Sequence, residues 1–322
     1  MPRVWNEPRS VPDWETGRVA LVLPTAAMYV YNENLAALEL FYADFAREIA
    51  RYDDVCCLVP DEASAEKMAR LTGLEIDAFP PVPIPDIWIR DFAPIPTTGG
   101  YVKFRYDPPY APKKVSRLVE AAFRHHLSSE GIALDDAGIR LDGGTIVHNG
   151  ECVGVATSRV FSWNRGQPRE ELLERLRRAL ALERLVIVPS EPEDRTGHAD
   201  GMLRWFDPNT LAVNDYGDTE VHGRFRERLA AALEEQLPGV EQIELPYPCP
   251  SERLRGWYGA RGNYVNFLMT RNRVYAPVYG IEEDRRAREI FETVFPGRVS
   301  YVDASAISRY GGSLNCISWN LL

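Results

Sequence analysis

"GGSLNCISWNLL", residues 311–322, ends the chain: two glycines, a cysteine at 316, then side chains that alternate apolar and polar. Alternation with a period of two predicts a half-buried strand. A strand needs a partner, and the run "VALVLP" (19–24) offers one near the other terminus. That run leads into a helical stripe over 34–52 and a strand "DVCCLVP" at 54–60. Pairing 316–322 with 19–24 makes the chain close on itself, so the fold turns on what lies between.

Between them the order of elements repeats. Helical spacing of three and four recurs in 34–52, where Leu35, Leu38, Phe41, Phe45 and Ile49 form one stripe, and in 115–127, 168–182, 222–237 and 282–295, with a shorter stretch at 62–73. Hairpins precede four of these helices. They begin near 84, 144, 201 and 262 and turn at Gly99-Gly100, Asn149-Gly150, Asp207-Pro208-Asn209 and Arg271-Asn272. After each comes one more β-rich run, at 139–141, 185–189, 240–245 and 299–303. The order hairpin, helix, strand therefore occurs four times, and the two termini together supply a fifth copy. A ring of five ββαβ units, a pseudo-symmetric five-bladed α/β propeller, leaves no long unpaired sheet edge. No Pro/Gly/Ser-rich linker interrupts it, so residues 1–322 are expected to form one domain.

Composition narrows the partners. With 37 Lys and Arg against 47 Asp and Glu, the net charge of −10 argues against nucleic acid and suits a small cation. Cys56, Cys57, Cys152, Cys249 and Cys316 form no CxxC pair, which argues against a disulfide scaffold and a structural zinc site. No apolar stretch is long enough for a membrane span, and "MPRVWNEPRS" has no secretory core, so a reducing cytoplasm is expected.

In a radial fold the corresponding ends of the units converge. Those ends read "DIWIRDFAP", "LDGGTI", "TGHADGM", "RGNYVNF" and "GGSLNC", and they carry Asp86, Asp91, Asp142, His198, Asp200 and Cys316. Taken singly, each has a structural explanation: a bulge, an ion pair, a buried small thiol. Together they are a thiol, an imidazole and several carboxylates. A thiol needs a base or a positive charge to become a nucleophile. His198 can take its proton and later protonate a leaving group, with Asp142 available to orient the ring. Extra carboxylates beside such a pair suit a planar cation, because a guanidinium presents N–H groups as a fork that carboxylates accept. The pair His198-x-Asp200 also admits a reading as metal ligands, but further histidines in reach are few. His125 and His126 fall late in a helix, His148 precedes a turn and is expected to be solvated, and Trp319 and Tyr310 serve either the pocket or the core.

These motifs resemble the guanidine-modifying (pentein) superfamily, and within it the agmatine deiminases and bacterial-type peptidylarginine deiminases. The elements that carry the resemblance are "DIWIRDFAP", "LDGG", "GHAD", "YVNF" and "GGSLNC", in order from about 84 to the end. It implies the pentein fold and hydrolytic deimination of a guanidino substrate to a ureido product and ammonia. It further implies Cys316 as the covalent nucleophile, His198 as acid and base, and Asp91 and Asp200 as the grip on the guanidinium nitrogens. Asp142 takes the position of the family's usual Glu. Trp88 and Arg90 travel with the first motif as packing and support for Asp91, and Asp86 is an acid behind it. No metal or organic cofactor is implied, and the partner is a small guanidino compound or an arginine-containing peptide. A homo-oligomer is compatible with all of this.

The departures bear on the substrate. "VALVLPT" stands where agmatine deiminases have a W-L-A-W-P pattern, and "VKFRYDPPYAPKK" lacks their Trp/Asn-rich segment. Aspartate at 142 resembles the amidinotransferases of the superfamily, which keeps amidino transfer as the alternative reaction. A non-catalytic guanidine-binding homologue is the alternative of another class. A papain-like thiol hydrolase fits less well, since there the nucleophile precedes the histidine and opens a helix.

Overall fold

The computed structural model describes residues 8–192, 194–217, 220–248, 253–254 and 256–322; Cys249 lies outside them. Five three-stranded sheets repeat one topology, each an antiparallel pair followed across a helix by a parallel third strand. The closing sheet has the order Ser318–Leu321, Arg18–Val22, Asp54–Leu58, with Leu35–Ala50 as its crossover helix. The next is Ile95–Thr97, Gly100–Arg105 and Leu134–Arg140, crossed by Lys113–Ser129. Then come Ile146–His148, Val153–Thr157 and Arg184–Val188 with helix Arg169–Ala179, and Leu203–Asp207, Thr210–Asp215 and Glu241–Pro246 with helix Glu220–Gln236. The last sheet is Leu268–Met269, Val274–Val278 and Val299–Asp303, with helix Glu283–Val294.

The terminal strands pair as the sequence requires, Val19 opposite Asn320 and Ala20 opposite Trp319. Polar groups lock that register. The Trp319 indole N–H donates to the Pro94 carbonyl at 2.8 Å, and the Asn320 amide donates to Thr16 Oγ1 and to the Met269 carbonyl, each at 2.8 Å. Trp319 thus serves the core. Tyr310 packs edge-on to Tyr31.

The helical stripes form the core. Leu38, Phe41, Phe45 and Ile49 are buried with Val19, Leu21, Phe267 and Tyr275, and each large apolar side chain so removed from water contributes about 1.5–3 kcal/mol. Phe123 and Val119 do the same against Trp319 and Phe92.

Three local readings change. The first hairpin begins at Ile95, not near 84: residues Ile89–Phe92 form one helical turn, docked against Gly143 and against Cys316, whose carbonyl accepts from the Arg90 N–H. Its turn is Thr98-Gly99, one residue earlier than expected, with Thr97 opposite Gly100. The Asn149-Gly150 turn is not a two-residue loop. Asn149 Oδ1 accepts from the backbone N–H of Glu151, Cys152 and Val153, so a side chain closes a four-residue connection. A small hairpin, Arg253–Leu254 with Trp257–Tyr258, has no counterpart in the sequence reading.

Candidate active site

Each carboxylate, the imidazole and the thiol sit on a short irregular segment at the end of a unit. Asp91 lies in the helical turn Ile89–Phe92, Asp142 just before the turn Gly143–Thr145, and Cys316 just before the closing strand. His198 and Asp200 follow a loop tied by Asp194, whose carboxylate accepts from the backbone N–H of Thr196 at 2.9 Å, Gly197 at 2.7 Å and His198 at 3.2 Å. The glycines of "LDGG" explain themselves here. A Cβ on Gly143 would stand 2.0 Å from the Arg90 carbonyl oxygen, and one on Gly144 would stand 2.6 Å from His198 Nδ1. The Gly144 carbonyl accepts from the N–H groups of Ala199 and Asp200 at 2.8 and 3.1 Å, so this close approach fixes the imidazole segment.

His198 lies between two acids. Its Nδ1 is 3.6 Å from Asp91 Oδ1 and its Nε2 is 3.3 Å from Asp142 Oδ2. Burial alone would lower its pKa, but the charges of Asp91, Asp142 and Asp200 outweigh burial and raise it to about 10. The ring is therefore an imidazolium at neutral pH. Burial, followed by the neighbouring Asp142 and Asp200, raises the Asp91 carboxyl well above the ordinary range against the pull of His198. Cys316 Sγ receives the Asn266 amide at 3.2 Å and lies 3.9 Å from Asp200 Oδ2. Burial first, then Asp200 and Asp91, hold the thiol well above its usual value. No hydrogen bond joins His198 to the thiol. The thiol–imidazole contact expected for proton transfer is replaced by a thiol beside Asp200 and an imidazolium beside Asp91 and Asp142.

Asp91 Oδ1, Asp142 Oδ1 and Asp200 Oδ1 are buried acceptors without a hydrogen-bond donor. Such atoms are costly unless something donates to them, and a guanidinium carries donors in the required number. Asp91, Asp142 and His198 also place ligand atoms within 4.8 Å of one another.

The remaining expected residues sit around this cluster. Trp88 packs on Gly312, where an added Cβ would lie 2.4 Å from the indole ring. Arg90 joins the closing segment: its backbone N–H donates to the Cys316 carbonyl at 3.2 Å and its guanidinium to Asn320 Oδ1 at 2.7 Å. It supports the thiol's segment more directly than Asp91. Asp86 accepts from the Tyr106 hydroxyl at 3.1 Å, and burial pushes its carboxyl up to about 6. Residues not given a part by the sequence complete the site. Asn266 holds Cys316, the Asn315 amide donates to Asp200 Oδ2 at 2.6 Å, and the Tyr110 hydroxyl donates to Asp142 Oδ2. Asn266 and Asn315 stand inside "YVNF" and "GGSLNC", which was the available signal.

Behind the site a cavity of about 50 Å³ is lined by Asp13, Arg90, His148, Arg204, Asp200 and Asn315. His148, expected to be solvated, is half-buried, and burial lowers its pKa to about 4.

The family model of the Porphyromonas-type peptidyl-arginine deiminases matches residues 9–321. The chain belongs to that family. Among similar proteins, the agmatine deiminase of Pseudomonas fluorescens is 26% identical over 327 residues, covering 86% of this chain and 85% of its own. The agmatine deiminase structure from C. jejuni superposes with a TM-score of 0.86 at 23% identity, over 99% of this chain and 98% of that one. DDAH from Pseudomonas aeruginosa matches more distantly, with a TM-score of 0.58 at 15% identity over 95% of this chain and all of that one. This member of the deiminase family thus shares the α/β fold of the agmatine deiminases. Among its described residues no helix is long and apolar enough to cross a membrane.

Proposed function

We propose that residues 1–322 are one deiminase domain that hydrolyses a small guanidino substrate, agmatine-like or an arginine side chain, to a ureido product and ammonia. The observation that carries this is the convergence of Cys316, His198, Asp91, Asp142 and Asp200 with three buried carboxylate oxygens awaiting donors. Membership of the deiminase family supports it.

The guanidinium binds between Asp91 and Asp200. Its charge offsets the two carboxylates that raise the Cys316 thiol, so the thiol releases its proton to solvent when substrate is present, the proton that later makes ammonium of the released ammonia. The thiolate forms a C–S bond to the guanidinium carbon. His198, already protonated, gives its proton to one amino group; that C–N bond breaks and ammonia departs, leaving a cationic S-linked amidino intermediate. Neutral His198 then takes one proton from water as its oxygen bonds to the same carbon. The C–S bond breaks to return the thiolate, and the second water proton passes to it as the ureido product leaves, restoring the thiol. Asp142 keeps the imidazole oriented throughout.

The chemistry needs a free thiol, and Cys316 is free; the reducing cytoplasm is the compartment we assign. Ammonia release and ureido formation are to be measured with agmatine, arginine, an arginine peptide, and an amidino donor paired with an amine acceptor. The expected result is ammonia with a ureido product from at least one, abolished in Cys316→Ser. Amidine transfer without ammonia would replace hydrolysis by amidino transfer. Turnover at the wild-type rate in Cys316→Ser would end the assignment of the nucleophile.

A further inference from the structure

The acid at 142 is one methylene shorter than glutamate, and its position has a second custodian outside the motifs. Tyr110 belongs to the segment 106–112, "YDPPYAP", which follows Gly100–Arg105. Arg140, two residues before Asp142, clamps this segment: its guanidinium donates to the Asp107 carbonyl and lies 3.6 Å from the Asp107 carboxylate. The half-buried Tyr110 ring then reaches over Asp142 and donates its hydroxyl to Oδ2, the same oxygen that faces His198 Nε2. The ring is held from three sides, with centroids 6.3 Å from His198, 6.0 Å from Trp163 and 5.5 Å from Trp257. Asp142 is fully buried, yet its Oδ1 has no donor. With that oxygen unheld, the carboxylate's orientation depends on the two donors that share Oδ2.

We infer that Tyr110 is a positioning residue for the reaction: its hydroxyl and the imidazole share Asp142 Oδ2, and the phenol keeps the short carboxylate turned toward His198. Two donors on one carboxylate oxygen fix its rotamer, whereas one leaves it free to rotate about the Cα–Cβ and Cβ–Cγ bonds. The inference rests on the deimination reading for its consequence in turnover, but its geometry does not depend on a substrate.

Tyr110→Phe keeps the ring and its packing and removes only the donor. The groups facing His198 are Asp91, Asp142 and Asp200, with Tyr110 against the ring and the Asp194 carboxylate on its backbone N–H. If the hydroxyl merely neutralised part of Asp142's charge, removing it would strengthen the carboxylate's hold on the imidazolium and move the His198 titration up. If it holds the carboxylate in place, Asp142 turns away and the titration moves down. The experiment is a ¹⁵N NMR titration of His198 in the substrate-free protein, wild type against Tyr110→Phe, with turnover measured on the same samples. The expected result is a fall of about one pH unit in the His198 midpoint, with kcat about tenfold lower and KM nearly unchanged. A midpoint at the wild-type value, or one displaced upward, overturns the inference whatever happens to turnover. Absence of turnover in the wild type would count against deimination alone, since the titration uses no substrate.

Discussion

Replacing Gly144 by alanine tests the site where backbone and chemistry meet most closely. Its backbone does not call for glycine through φ, since the residue is absent from the positive-φ positions. What excludes a side chain is space. A Cβ there would stand 2.6 Å from His198 Nδ1, 3.0 Å from His198 Cγ and 2.9 Å from Asp200 Oδ1. Ordinary contacts begin at about 3.5 Å, so the imidazole and the carboxylate must each retreat by roughly half an ångström to one ångström. The backbone cannot yield instead, because the Gly144 carbonyl holds the N–H groups of Ala199 and Asp200. A displacement of about 1 Å at reacting groups costs on the order of a hundredfold in rate, while one extra methyl in a packed interior costs about 1–3 kcal/mol of stability. Gly144→Ala is thus expected to lose about a hundredfold in kcat while remaining folded at 25 °C. Steady-state ammonia release gives kcat and KM, and urea unfolding gives stability. Wild-type kcat in the folded variant would refute the claim that the imidazole is held against this glycine.

Other consequences are open to measurement. His198 titrates near 10 in the folded protein against an ordinary 6.5, so the folded state binds its proton more tightly than the unfolded chain does. Its contribution to stability is complete below about pH 6.5 and is lost as pH rises through about 10; thermal unfolding should weaken more steeply between pH 7 and 10 in the wild type than in His198→Gln, and parallel curves would remove the basis for an imidazolium. The Asp13 carboxylate pairs with the buried Arg204 and lies 3.9 Å from Arg90. Asp13→Asn leaves Arg204 without its counter-charge and is expected to cost about 3 kcal/mol in urea unfolding; a loss below about 1 kcal/mol would place the pair with ordinary surface bridges.

How much of this was legible in the sequence depends on whether a residue's neighbours are near in the chain. Periodicity placed Leu38, Phe41, Phe45 and Ile49 on one buried stripe because a helix sets its own geometry. The closing pair 18–22 with 318–321 was legible because four repeats of one order leave the two termini to supply the fifth copy between them. The motifs named the thiol, the imidazole and four acids. The helical turn at Ile89–Phe92 was misread because its side chains are as compatible with a strand, and only docking of the turn against Gly143 and Cys316 selects the helix.

What sequence alone determined, then, is the repeated order of elements, which follows from local spacing, and the motifs whose thiol, imidazole and acids the fold brings together. What only the tertiary structure decided is the pairing among those groups. His198 is held by Asp91 and Asp142 rather than by Cys316, Asn266 and Asn315 fix the thiol and Asp200, and Tyr110 reaches Asp142 across 32 residues of chain. Those contacts set the electrostatics, because the field at a buried charge depends on distance and burial, and neither can be read from position along the chain.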